Sequence, residues 1–272
     1  MTSAQPTQRV GERIWQRFTP AQRLGRFAFY LLAVAAIMWA VRKVEIIPEF
    51  LYDAHLQTWD LFQRMWPMDW AHYAEGVHGA LIETFHIATL GTLLALILGI
   101  PVALLAAKNI TRSATLNWIA QFILVSSRSV NSLIWALLFV AIFGPGAIAG
   151  VLAIGFRSIG FVGKLLAEAL EEARPGPIEA LKSTGASPAS ILSKGYWPQV
   201  EPSFWSVALF RWDINIRESA VLGLVGGGGI GVALDSALSN LYWDQVGLVL
   251  FVIFIVVILT EMFTSYIRKK II

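Results

Sequence analysis

The amino-acid sequence predicts an all-α integral membrane protein with about six transmembrane helices. Apolar residues make up 56% of the 272 residues and charged residues only 14%, whereas soluble domains average about 25% charged residues. The uncharged residues are grouped in blocks long enough to cross a bilayer. Lysine and arginine lie mostly between these blocks, as in the loops of a multi-pass protein.

Composition also excludes several kinds of site and partner. The chain has no cysteine, so disulfides and thiolate metal or redox sites are excluded. The four histidines do not form a ligand-spaced cluster, and we predict no metal site. The net charge of +3 is small and comes from basic residues that flank apolar blocks. This pattern favours contact with membrane lipid and argues against a nucleic-acid partner.

The first 76 residues are predicted to differ from the rest of the chain, residues 77–272. Residues 1–26 are polar and basic, and a short apolar run at 27–41 follows. No small-residue cleavage site comes after it, so we interpret it as an uncleaved first span rather than a signal peptide. Acidic residues alternate with tryptophans over 45–76. That alternation is typical of helices lying at a membrane surface.

Five further apolar stretches are predicted to span the membrane, at 78–107, 116–143, 147–167, 203–225 and 246–267. The stretch 116–143 is too long for one straight crossing, so we expect a break near residues 126–131. A glycine run at 226–231 is predicted to lead into an acidic loop with Asp235 and Asp244. It lacks the Lys-Ser/Thr that a nucleotide-binding P-loop requires, and it follows a membrane span. We therefore predict no nucleotide site in this chain.

The distribution of basic residues predicts the orientation of the six spans. The side that holds both termini and the loops 108–115 and 168–202 carries fourteen lysines and arginines, counting Lys164 at its edge. The opposite side carries only Arg42, Lys43 and Arg64. The positive-inside rule then places both termini and the 168–202 loop in the cytoplasm.

The cytoplasmic loop 168–202 has the features of a docking surface. Pro175 and Pro177 stop the preceding helix, and Pro177 suits the first turn of a new helix. A compact helix with small residues follows and ends at Gly185. Small residues let another protein surface approach the backbone closely.

Here the sequence resembles the cytoplasmic signature of ATP-binding-cassette (ABC) import permeases, EAA-x3-G-x9-I-x-L-P. Its positions are occupied by Glu179, Ala180, Leu181, Gly185, Gly195, Trp197 and Pro198. Leu181, Gly195 and Trp197 depart from the pattern, while the spacing is intact. The resemblance implies a type I importer permease in which this loop is the coupling helix that seats on a separate ATPase. ATP and Mg would then be bound by that partner, and this chain would have no cofactor and no catalytic residue.

Arginines inside the spans suggest a route for an anion. Intramembrane charges are costly and usually functional. Four arginines lie in the spans against two acids, Asp213 and Glu218, and a surplus of forked positive donors suits an oxyanion. Asp213 and Arg217 have i,i+4 spacing and can neutralise each other. The alternative is that the arginines only brace the helices. The residues predicted to line the route are Arg128, Asn131, Arg157, Arg211 and Arg217.

From about residue 80 onward the chain is similar to phosphonate importer permeases and their phosphite-carrying relatives. The matching stretches include SRSVNSLIWALLFV and LFRWDINIRESAVLGLVGGGGIG. Ser132 stands where many of these permeases have an acidic residue. The resemblance implies a bacterial inner-membrane dimer, with an identical or paralogous second permease subunit. It also implies two ATPase copies and an extracytoplasmic phosphonate- or phosphite-binding protein.

The sequence leaves other functions open. The same mechanism could carry methionine, a quaternary amine or another oxyanion, although the surplus of arginine argues against a cation. An ion-coupled secondary transporter often shows duplicated halves, and we find no internal repeat. A membrane-embedded enzyme would need a polar cluster at membrane depth, for which only Glu83 and His86 come close. Phosphonate and phosphite are not distinguished.

Overall fold

The computed structural model of the chain describes residues 18–44 and 48–271. These residues are predominantly helical, and no β-strand occurs within them. The chain divides into two compact units, Met1–Trp59 and Asp60–Ile272. Within residues 18–44 and 48–271, five helical stretches are long and apolar enough to cross a membrane, or six when one bent pair counts as a span. The all-α membrane fold is therefore confirmed.

The first unit contains helix α1 (Pro20–Lys43) and the start of α2 (Pro48–Met65). Thr19 and Gln22 form a capping box at the start of α1, satisfying backbone donors that the helix leaves free. The 24 residues of α1 give a length of about 36 Å, more than the predicted apolar run at 27–41. Residues 1–17 of the basic segment and 45–47 of the predicted surface segment lie outside the described residues.

The second unit contains the remaining spans and the docking loop. A π-helical turn, Tyr73–Val77, leads into the first long helix, and another, Leu192–Tyr196, precedes α9. The helices are α3 (His78–Ala106), α4 (Ala114–Ser129), α5 (Ser132–Phe143), α6 (Ala147–Glu171), α7 (Pro175–Ser183), α8 (Pro188–Ile191), α9 (Trp197–Leu222), α10 (Ile230–Ser239) and α11 (Trp243–Ile271).

Helices α4 and α5 together form one broken span. They meet at an angle of 90° after Ser129, at the end of the stretch where the sequence predicts a break. The start of α4 lies at the C-terminal end of α3, because the Asn117 amide donates a 2.6 Å hydrogen bond to the carbonyl of Ala106. Just beyond α5, the N–H of Gly146 donates to the carbonyl of Gly226. The turn that contains Gly226 contacts the N-terminal half of α3 through the bond from the N–H of Ile230 to Thr84 Oγ1. The pair therefore begins near the C-terminal end of α3 and ends near its N-terminal half.

Small residues allow α3 and α6 to pack side by side in the same direction. A Cβ at Gly91 would contact Ile154, and one at Gly99 would lie 3.4 Å from Val162. Both contacts preserve the same chain order, so the helices are parallel. Close approach at small residues is the usual way in which membrane helices associate, since lipid provides no hydrophobic drive between them. α3 and α6 thus form the centre of the second unit.

The region after the glycine run is a helix, and the predicted acidic loop is wrong. Gly226, Gly228 and Gly229 have φ values of +86°, +80° and +73°, which suit residues without a Cβ. They turn the chain tightly so that the N–H of Ile230 donates to Thr84 Oγ1 at 2.8 Å. Helix α10 then buries Ile230 and carries Asp235, and α11 begins at Trp243. The loop interpretation relied on glycine and acid content and missed the apolar side of α10 that packs in the core.

Candidate functional site

A cluster of three charged side chains lies where α6 and α9 cross. Glu218 of α9 uses both of its carboxylate oxygens there. One oxygen pairs with Nη1 of Arg157, from the middle of α6. The other lies 3.3 Å from Nη2 of Arg211, which is on α9 itself. Two cations and one anion leave the cluster with a net charge of +1.

Arg211 is held in a buried polar network. Its side chain is 2% exposed, and its Nε donates a 2.8 Å hydrogen bond to Ser158 Oγ. Ser158 Oγ lies 3.2 Å from Asn215 Oδ1, and the Asn215 amide donates to Thr92 Oγ1 at 2.8 Å. The network therefore joins α3, α6 and α9. Neither Ser158 nor Thr92 is distinguishable by sequence pattern from other small polar residues in the spans.

The second acid of α9 pairs with the arginine four residues later. Asp213 and Arg217 form an ion pair, as their spacing allows. The Asp213 side chain is 6% exposed, whereas that of Arg217 is 43% exposed. The pair is neutral as a unit. Three of the four predicted route arginines therefore have carboxylate partners, which the surplus counted from the sequence does not reveal.

Arg128 lies at the end of α4, where that helix is joined to the turn of α6 that carries Arg157. The hydroxyl of Ser127 donates a hydrogen bond to the carbonyl of Phe156 and accepts one from the N–H of Gly160. In a regular α-helix these two backbone groups would pair with each other. A Cβ at Gly160 would overlap a carbonyl oxygen of α4, so a glycine is required there. The Arg128 side chain is exposed and forms no ion pair or hydrogen bond with the residues that the structure describes.

Asn131 has a structural role that the sequence interpretation did not include. It is the N-cap of α5, and its Oδ1 accepts a 3.1 Å hydrogen bond from the N–H of Leu133. An N-cap satisfies a backbone donor that the first helical turn leaves free. Asn131 therefore sets where the second half of the broken span begins, and its contact with cargo stays a prediction.

The docking loop folds as its proline and glycine positions predict. Pro175 begins α7, and Gly185, with φ of +71°, ends the turn that follows it. Ile178 is 4% exposed and anchors α7 on its own protein. Glu179 and Ala180 are exposed. The helix thus presents the first two motif positions outward.

Two departures from the permease signature contact each other. Leu181 stands where the pattern has alanine, and Gly195 where it has isoleucine. A Cβ at Gly195 would lie 3.2 Å from Leu181 Cδ1 and 3.5 Å from Ile178 Cγ1. A larger residue in α7 therefore packs over a smaller one in the π-helical turn. The two changes compensate each other in size.

Gln199 fastens the docking loop to the start of α9. Its Oε1 accepts a 2.9 Å hydrogen bond from the N–H of Arg174, and its Nε2 donates at 2.7 Å to the carbonyl of Gly195. Pro198, the last motif residue, lies exposed in the first turn of α9. No motif position marks Gln199, so the sequence provided no signal for this contact.

The part of the chain that contains these spans and the docking loop matches a known protein family in sequence. Residues 99–269 match the model of the binding-protein-dependent transport system inner membrane component. The chain belongs to this family. Members are permease subunits of ABC importers, so the protein is a transport subunit rather than an enzyme.

Individual relatives agree with this assignment. The permease is 39% identical over 203 residues to the phosphite transport system permease protein of Stutzerimonas stutzeri, covering 75% of this chain and 74% of that one. It is 34% identical over 250 residues to the phosphate-import permease protein of Mycolicibacterium smegmatis, covering 92% of this chain and 47% of that relative.

A solved structure shares the fold. A chain of the methionine ABC transporter, solved in inward-facing conformations, superimposes with a TM-score of 0.63 at 22% identity, covering 73% of this chain and 97% of the other.

Proposed function

We propose that this permease imports a phosphorus oxyanion, either phosphite or a phosphonate. The observation that carries the proposal is the cluster of Arg157, Arg211 and Glu218, which keeps a net positive charge in the middle of the spans. Fixed guanidinium groups recognise oxyanions through charge-assisted, forked hydrogen bonds. The names of the phosphite and phosphate relatives support the same class of cargo.

The proposed route for the anion uses the arginines at the centre of the second unit. Arg128 is exposed and has no partner among the described residues, so its charge is available to a passing anion. Arg157 is partly exposed. Arg211 is buried and adds a fixed positive charge beside Arg157. Arg217, with its half-exposed side chain, and Asn131 complete the predicted set.

Energy input is proposed to come from a separate ATPase, two copies of which bind ATP and Mg. Each would dock on α7 in the loop 168–202, with Glu179, Ala180 and Gly185 at the contact and Leu181 and Pro198 behind it. Closing of the ATPases would switch the cavity between inward- and outward-facing forms. A binding protein outside the membrane would deliver the anion, and a second permease subunit would complete the dimer.

The proposed location is the bacterial inner membrane, with both termini and the docking loop in the cytoplasm. The basic residues of the loop 168–202 support this orientation. Residues 77–272 would form the transmembrane domain, and residues 1–76 would add the first span and a surface helix. Phosphate is a second candidate cargo, because a relative of comparable identity is named for it.

The proposal is tested with the complete importer in lipid vesicles that contain the ATPase and are supplied with the binding protein. Uptake of phosphite, methylphosphonate, phosphate and methionine is measured for the parent and for Arg128→Gln. Loss of one charge-assisted contact costs about 1.5–3 kcal/mol, so uptake of the natural anion should fall by about 10- to 150-fold.

The matched control is Arg64→Gln. Arg64 is exposed on α2 and pairs with Asp60 at 2.8 Å, outside the predicted route. This variant should transport at the parent rate. If the parent takes up methionine and none of the anions, the proposed cargo is wrong. If the parent and Arg128→Gln take up the anion equally, the proposed route is wrong.

A further inference from the structure

Glu218 stands where an oxyanion would be expected. Its two oxygens are each bound by a different guanidinium, one from α6 and one from α9. A carboxylate bridging two arginines resembles, in charge and in hydrogen bonding, part of a phosphite or phosphonate held by the same two donors. The site is thus filled by a group of the protein itself.

The two arginines that hold Glu218 differ in freedom. Arg211 is 2% exposed, is fixed by Ser158 and lies 5.4 Å from the ring centroid of Phe161. Arg157 is 25% exposed, and its buried Nε has no hydrogen-bond partner among the described residues. Arg211 is therefore held in place by its neighbours. Arg157 is partly exposed, and its Nε is a donor that no described residue uses.

The geometry also shows which of the two ion pairs is exchangeable. Arg211 and Glu218 lie on the same helix, two turns apart, so their pairing is fixed by α9 alone. The pairing of Arg157 with Glu218 crosses from α6 to α9. A phosphite or phosphonate anion has three oxygens that accept hydrogen bonds, and two of them can bind Nη1 and Nη2 of one guanidinium as a fork. Among the described residues, the Glu218 carboxylate binds Arg157 through Nη1 alone.

We propose that Glu218 is an exchangeable counter-ion for the cargo. In the empty site it neutralises Arg157, and an arriving phosphorus oxyanion displaces it from Arg157 while it stays paired with Arg211. When the anion leaves, Glu218 returns and prevents rebinding. This assignment rests on the proposed cargo and adds a residue that competes with it.

Glu218→Gln tests the exchange because it removes the competing charge and keeps the size of the side chain. The permease–ATPase complex is placed in lipid nanodiscs without binding protein, and equilibrium binding of radiolabelled methylphosphonate and phosphite is measured. Glu218→Gln should bind the natural anion about tenfold more tightly, since one charge-assisted competitor is lost. Uptake by the complete importer should fall, because nothing displaces the bound anion.

Glu261→Gln is the matched control. Glu261 lies on the transmembrane helix α11, is exposed and has no ion pair in the described part of the chain. This variant makes the same change in net charge and should bind and transport like the parent. Tighter binding in both variants would mean a general charge effect and would overturn the assignment.

A second variant keeps the test decisive if Glu218→Gln fails to assemble. Glu218→Asp retains the charge but is one methylene shorter, so it can pair with Arg211 without reaching Arg157. It should also bind the anion more tightly than the parent. Unchanged or weaker binding in an assembled Glu218 variant, while the parent transports the anion, would show that Glu218 is only a brace. A parent that neither binds nor transports these anions would overturn the cargo and the counter-ion together.

Discussion

The contact between Leu181 and Gly195 leads to a prediction about restoring the signature of the family. Gly195→Ile introduces the pattern residue into a buried turn, where even a Cβ would lie 3.2 Å from Leu181 Cδ1. The further atoms of isoleucine need the space that Leu181 occupies. The single change should therefore push α7 away from the π-helical turn, although it makes the motif more regular.

The expected magnitudes follow from packing. Overfilling a packed site costs about 1–3 kcal/mol, which is about 5- to 150-fold in the local opening equilibrium. Leu181→Ala alone leaves a gap and should cost about 2 kcal/mol, the lower end for a leucine, because Leu181 is only partly buried. In the double variant the gap accommodates the isoleucine, and the cost should fall below about 1.5 kcal/mol.

Amide hydrogen exchange in α7 measures this directly, because exchange of a helix that opens locally reports its opening free energy. The permease in nanodiscs is sufficient, so the result does not depend on any partner. Ser193→Ile, at an exposed position of the same turn, is the control and should leave α7 unchanged. The reasoning is refuted if Gly195→Ile exchanges like the parent, or if the double variant exchanges as fast as the worse single variant.

Two further predictions concern orientation and the docking loop. A cysteine at Thr58 should react with an impermeant maleimide added outside intact cells, and one at Ser187 should not. The parent has no cysteine that would react. The reverse labelling pattern would invert the proposed topology. Gly185→Ala should reduce ATPase stimulation by the loaded binding protein about fivefold or more, because a left-handed residue with a Cβ costs about 1–2 kcal/mol. Gly176→Ala is its control, since Gly176 has an ordinary φ and open space around it; equal activity of both variants would exclude a requirement for the left-handed turn.

Much of the fold was predictable because it depends on short-range patterns. Apolar length identified the spans, and the polar residues near Ser129 identified the break in the third. Proline and glycine positions identified α7. Helix α10 was missed because its glycine-rich start and Asp235 resemble a loop, whereas its apolar side packs on α11 through contacts that no local pattern shows.

The candidate site was predictable only in part, since its contacts join residues far apart in the chain. The Asp213–Arg217 pair could be expected from spacing within one helix. The pairing of Arg157 with Glu218 depends on how α6 crosses α9, which no local pattern encodes. Charge counting therefore overestimated the free arginines.

The docking loop lies between the two helices that hold the charged cluster. Helix α6 carries Arg157 and continues for about 21 Å to Glu171, beside α7; α9 carries Glu218 and is tied back to the loop through Gln199. Cargo bound at the charged cluster and an ATPase bound at the docking loop would therefore act on the same two helices, α6 and α9. By thermodynamic linkage, if binding of the ATPase changes the affinity for the anion by some factor, binding of the anion changes the affinity for the ATPase by the same factor. Helices α6 and α9 would be the elements through which this coupling passes between the charged cluster and the docking loop.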